Sequence, residues 1–119
     1  MKFKTNELKG ANLDWAVAQC RGLNIYRSKG GRWMTANYGQ FNPRKGAPWW
    51  NPTFFWHQGG PIIERELIEL VPKDHGLWEA MYREQHIPND GATPLIAAMR
   101  CFVASVAGEE IEIPEELAA

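Results

Sequence analysis

One stretch of the chain leaves little choice about its structure. Thr93 is followed by Pro94, and from there Leu95, Ala98, Met99, Phe102 and Val106 recur at helical spacing until Gly108. A threonine side chain accepts a hydrogen bond from the unpaired N–H groups of a first turn. Proline suits the first helical position, where its missing N–H has no partner to lose, and glycine closes a helix cheaply. The spacing predicts a helix from Pro94 up to Gly108, with an apolar stripe that the rest of the chain has to cover.

The remaining elements are less sharply written. Gly10 to Cys20 reads as a short amphipathic helix, with Leu13, Val17 and Cys20 at helical spacing, Ala16 beside them, and Gly22 placed to end it. Leu23 to Tyr26 alternates weakly, as a strand does. Arg27 to Pro61 contains six glycines and four prolines and no sustained period, which indicates turns, short strands and ordered loops. After the Gly59-Gly60-Pro61 breaker, Ile62 to Val71 is read as a strand with Ile68 and Leu70 facing one way, a helical reading remaining open. Trp78, Met81 and Tyr82 give Leu77 to Glu84 the spacing of one short helix. The acidic tail, 109–119, opens with five glutamates around Ile111 and Ile113, which alternate like an edge strand. No internal repeat or linker interrupts the 119 residues. The expectation is one α+β domain over 1–119, a short antiparallel sheet with about three helices.

Composition narrows the classes. With 45% hydrophobic and 23% charged residues, the chain has enough apolar material for a core and is unlike a disordered chain. Cys20 and Cys101 stand alone in apolar stretches, outside any CxxC or CxxH spacing, and are expected as buried, reduced thiols. Met1 to Lys9 contains no signal-like apolar run, and no stretch reaches the ~18 apolar residues of a membrane span, so a cytoplasmic location is expected. Asn51-Pro52-Thr53 has proline in its middle and is not a glycosylation acceptor.

The net charge of −1 hides a segregation. From Trp15 to Ile63 there is no Asp or Glu, while Arg21, Arg27, Lys29, Arg32, Arg44 and Lys45 all fall there. The other parts of the chain hold the remaining seven basic residues and all fourteen acidic ones. The same stretch carries Tyr26, Trp33, Tyr38, Phe41, Trp49, Trp50, Phe54, Phe55 and Trp56. Guanidinium groups pair bidentately with phosphate oxygens and flat rings stack on bases, so this co-location suits a nucleotide or single-stranded nucleic acid. The plainer reading is that most of the rings are core. Trp33, Trp49, Trp50 and Trp56 are the stacking candidates, and Arg27, Arg32, Arg44 and Lys45 the phosphate candidates. Asn51 and Thr53 are the hydrogen-bonding candidates for a base or ribose. Asn51 to Thr53, with Trp56 and the Gly59-Gly60 pair, make either a backbone anion pocket or a turn feeding a strand, the turn being slightly favoured.

Two sets of residues resemble the phage NinX-like family, small proteins encoded in temperate phage genomes. The first is Leu13-Asp14-Trp15-Ala16-Val17-Ala18-Gln19-Cys20-Arg21-Gly22. The second comprises Asn51-Pro52-Thr53, Gln58-Gly59-Gly60-Pro61-Ile62-Ile63-Glu64-Arg65-Glu66 and Thr93-Pro94-Leu95-Ile96-Ala97-Ala98-Met99-Arg100-Cys101. The departure is Arg27 to Trp50, longer and more aromatic than in the family. The resemblance implies a phage origin and assigns no chemistry, which has to come from the residues.

Other constellations are weak. His57, His75 and His86 share no metal-ligand spacing with the cysteines or carboxylates, so no metal and no cofactor is expected. Glu64 and Glu66, alternating on a strand, read as a solvated face rather than an acid/base pair. No catalytic motif is present. The leading expectation is a non-enzymatic protein, a homo-oligomer, that sequesters a small nucleotide-derived anion such as a host immune signal. The alternatives are a nucleic-acid-binding accessory protein of recombination or replication and a protein–protein inhibitor of a host factor. An enzyme assembled from Arg32, His57 and Glu64 ranks last.

Overall fold

The computed structural model describes residues 1–35, 49–85 and 87–118, and it is built around helix α3 (Pro94–Ala107). The helix starts as its sequence predicts: Thr93 Oγ1 accepts from the Ile96 N–H at 3.1 Å, with Pro94 in the first turn. Leu95, Ala98, Met99 and Phe102 of the stripe are buried, and Ala97, Cys101 and Val103 are buried with them, because α3 is covered on more than one side. Val106, in the last turn, is exposed. Arg100 ties the helix to its surroundings, donating from Nε to the Leu8 carbonyl and from Nη1 to the Asp90 carbonyl, both at 2.7 Å.

Helix α1 (Gly10–Arg21) packs across α3 through Leu13, Ala16, Val17 and Ala18. It ends at Gly22, whose φ of 71° is the left-handed conformation that lets its N–H reach back to the Ala18 and Gln19 carbonyls. Strand β2 (Ile25–Arg27) then pairs antiparallel with β3 (Trp33–Thr35), Tyr26 opposite Met34. At the other end of the chain, β1 (Lys2–Lys4) pairs with β7 (Glu110–Glu112), Phe3 opposite Ile111, so the start of the acidic tail is an edge strand as its alternation suggests. The Thr5 hydroxyl locks this ribbon to the end of α3 by donating to the Gly108 carbonyl at 2.8 Å.

A three-stranded antiparallel sheet in the order β4 (Ile68–Pro72), β5 (Trp78–Tyr82), β6 (Asn89–Gly91) lies against α3. Ile68 faces Tyr82, Pro72 faces Trp78, and Trp78 faces Gly91 across the strands. With three α-helices and short antiparallel sheets, the molecule is α+β.

Two assignments from the sequence are corrected. Trp78 to Tyr82 is a strand, not a helix: Trp78, Ala80 and Tyr82 share its inner face, with Ala80 fully buried against α3. The helical spacing of Trp78, Met81 and Tyr82 is a coincidence of a short window, whereas aromatic residues with period-two burial favour a pleated surface. Likewise Ile62 is not in a strand. Helix α2 (Trp56–Glu66) runs through Gly59-Gly60-Pro61, and the strand begins only at Ile68, after Leu67 adopts a left-handed turn. Ile68 and Leu70 do share the inward face. The two glycines and the proline are therefore helical residues and not a turn feeding a strand.

Candidate ligand-binding face

Helix α2 survives an internal proline because its first turn is fixed from outside. The Phe54 and Phe55 N–H groups donate to the Asn51 carbonyl, and the Gln58 and Gly59 N–H groups donate to that of Phe55. The buried Gln58 amide bridges the incoming chain, accepting from the Asn51 N–H at 2.6 Å and donating to the Trp49 carbonyl. Gly59 is required by close approach: a Cβ there would stand 2.5 Å from the Pro52 carbonyl oxygen and 2.6 Å from Leu95 Cδ2. Packing on α3 thus outweighs the ~3 kcal/mol that proline costs inside a helix.

The four candidate tryptophans separate by role. Trp33, only 4% exposed, donates its indole N–H to the Ala11 carbonyl at 3.0 Å, and Trp50, 2% exposed, donates to the Asp14 carbonyl at 2.7 Å. Both indoles are pinned against α1 and belong to the core, so as stacking candidates they are withdrawn. Trp49 is half-buried beside β3, bridging Met34, and Trp56 is 55% exposed at the start of α2.

From Trp49 a file of rings leads to the surface. Phe55 meets Trp49 edge-on at 5.4 Å and Phe54 edge-on at 5.3 Å, and the His57 ring lies 5.2 Å from Phe55. Phe54 is 70% exposed. Arg32, in the turn between β2 and β3, lays its guanidinium over Trp49, 4.0 Å from the ring centre, and its guanidinium makes no hydrogen bond among the described residues. Arg32, the half-buried Trp49, Phe55 and the exposed Phe54 therefore form one continuous run at the surface.

Arg27 has a different occupation. Its guanidinium sits 4.5 Å over Trp33 and donates to the Gly31 carbonyl at 3.1 Å and the Leu117 carbonyl at 3.0 Å, fastening the C-terminal tail to the β2–β3 turn. Asn51 and Thr53 are engaged within the turn before α2: the Thr53 hydroxyl donates to Asn51 Oδ1 at 3.1 Å and the Thr53 N–H to Asp14 Oδ1 at 3.2 Å. Arg44 and Lys45 lie outside the described residues.

Asp14 was not singled out by sequence reasoning. It is buried where α1 meets the turn, and burial pushes its carboxyl from the ordinary 3.8 up to about 7, opposed by the hydroxyl and N–H of Thr53. The signal was available, since Asp14 falls on the same helical face as Val17 and Ala18, which are core. Cys20 and Cys101 are free thiols, half-buried and buried, and burial raises each to about 11, so both stay protonated at neutral pH.

Among the described residues, no group of three or more His, Cys, Asp or Glu side chains is placed to hold a metal ion, and no helix is long and apolar enough to cross a membrane. No curated protein matches the sequence. The family model described as Bacteriophage P22, NinX matches residues 4–106, which takes in every element from α1 to all but the last residue of α3. The chain belongs to the bacteriophage P22 NinX family.

Proposed function

We propose that this protein is a phage accessory factor that captures a small, anionic, nucleotide-derived ligand on the face formed by Arg32, Trp49, Phe55 and Phe54, and acts by holding the ligand rather than converting it. The observation that carries the reading is the Arg32 guanidinium seated over Trp49, without a hydrogen bond among the described residues, on a run of rings that passes through Phe55 to the exposed Phe54. The sequence from Trp15 to Ile63, which supplies this face, contains no carboxylate to repel a phosphate. A stacked base is worth ~1–3 kcal/mol and a charge-assisted phosphate contact strengthens it further, so a few such contacts suffice for tight binding. Sequestration needs only affinity and stoichiometry. A host signalling nucleotide in the bacterial cytoplasm is a target suited to it, and a homo-oligomer would join two such faces.

The test is calorimetry against linear and cyclic nucleotides and ADP-ribose derivatives, with chromatography of each mixture afterwards. The reading expects submicromolar binding, recovery of the ligand intact, and a loss of about tenfold or more for Arg32→Ala and for Phe54→Ala. Absence of binding across the panel, or conversion of the ligand, overturns it. Binding only to longer single strands, weakening steeply with salt, would favour a nucleic-acid partner instead.

A further inference from the structure

On residues that the Arg32 face does not use, a second cleft of about 450 Å³ opens between β6, the last two turns of α3 and the β1–β7 ribbon. Its size falls within the ~300–1,000 Å³ of small-molecule sites. Ile87 and Pro88 on the β6 side and Ala104 on α3 give it apolar walls, with Cys101 beneath. Its hydroxyls are already committed. Thr5 donates to the Gly108 carbonyl, and Tyr82 is held between the Glu66 carboxylate at 3.0 Å and Ser105 at 3.1 Å.

Its carboxamides are not committed. Asn89 is only 5% exposed, yet its side chain makes no hydrogen bond among the described residues, and those of Asn6 and Gln85, which also line the cleft, make none either. A nearly buried carboxamide that makes no hydrogen bond within the protein keeps its donor and acceptor for whatever enters the cleft, water or ligand. A carboxamide offers a donor and an acceptor side by side, the pattern that a nucleobase edge complements. The charges at the rim are Lys4 against Glu109 and Glu110, which disfavours a phosphate.

We propose that this cleft is a second binding site, specific for an uncharged nucleobase or nucleoside, whose base edge pairs with Asn89 while its ring lies between the Ile87–Pro88 wall and Ala104. It differs from the Arg32 face in rejecting phosphorylated forms.

The test is a titration of isotope-labelled protein with adenosine, cytidine, guanosine and uridine, read by nuclear magnetic resonance. At least one nucleoside is expected to shift the Asn89 and Gln85 side-chain amide signals saturably, with a dissociation constant below about 1 mM. Its 5′-monophosphate is expected to bind the cleft about tenfold more weakly or worse. Asn89→Leu should weaken nucleoside binding at least about tenfold, and Ala104→Phe, which fills the cleft while leaving Asn89 in place, should abolish it. Binding at the Arg32 face should be unchanged in both variants. Absence of amide shifts with all four nucleosides, or shifts that persist in the folded Ala104→Phe protein, overturns the proposal. Arg32→Ala leaves these shifts intact, so failure of one site is distinguishable from failure of the other.

Discussion

Trp50 and Trp56 carry one side chain to opposite ends of the solvent scale. Trp50 fills the space under α1 and spends its N–H on a helix carbonyl, whereas Trp56 stands at a helix start with more than half its surface in water. Trp50→Ala is expected to destabilise the protein by ~3–5 kcal/mol and Trp56→Ala by less than ~0.5 kcal/mol, as read by denaturant unfolding. The sequence gives the four stacking candidates, Trp33, Trp49, Trp50 and Trp56, equal standing. What separates them is the pinning of the Trp33 and Trp50 indole N–H groups on α1 carbonyls, contacts made across tens of residues and invisible to local pattern. Asp14 makes the same point in reverse: its place on a core face was legible, and its chemical consequence was not. Because burial raises its carboxyl to about 7, the folded protein holds that proton more tightly than the unfolded chain does. Its contribution is therefore fully present below the unfolded value near 4 and is lost as pH rises through about 7, a change on the order of a few kcal/mol. Thermal unfolding at pH 5 and pH 8 should show the fall in the natural protein and a smaller one in Asp14→Asn, which keeps an acceptor for the Thr53 N–H without the charge. An equal fall in both would assign the effect to other groups.

At the scale of elements, the helices with explicit ends were the readable ones. Thr93, Pro94 and Gly22 each solve a local problem of unpaired backbone groups, so α1 and α3 are written in their own residues. Thr93→Ala should cost ~1 kcal/mol, measured as a shift in the unfolding midpoint. Helix α2 obeys a different logic. Its glycines and proline argue against a helix locally, and Gln58 and the contact of Gly59 with Pro52 and Leu95 impose one. Gly59→Ala, which raises helix propensity, is accordingly expected to destabilise by ~1–3 kcal/mol through overpacking. Stabilisation by that change would contradict the packing account. Strand β5 was misread for a related reason: five residues hold too little periodicity to decide, and the surface of α3 decides instead.

Across the whole molecule, the α+β class followed from counting elements, while the pairing of β1 with β7 and the order of the three-stranded sheet depend on contacts between distant parts of the chain. The segregation of charge survives folding in a reduced form. Arg27 is drawn into holding the tail, and Arg32 is left over Trp49 as a cation on the run of rings that ends at the exposed Phe54. The binding account therefore rests on Arg32 and the rings around it. The most direct measurement is calorimetric titration of the natural protein and Arg32→Ala with the nucleotide panel, alongside thermal unfolding of both. The account predicts submicromolar binding to at least one phosphorylated ligand, lost by about tenfold or more in Arg32→Ala at an unchanged unfolding temperature. Equal affinity in the two proteins, or no affinity in either, would contradict it.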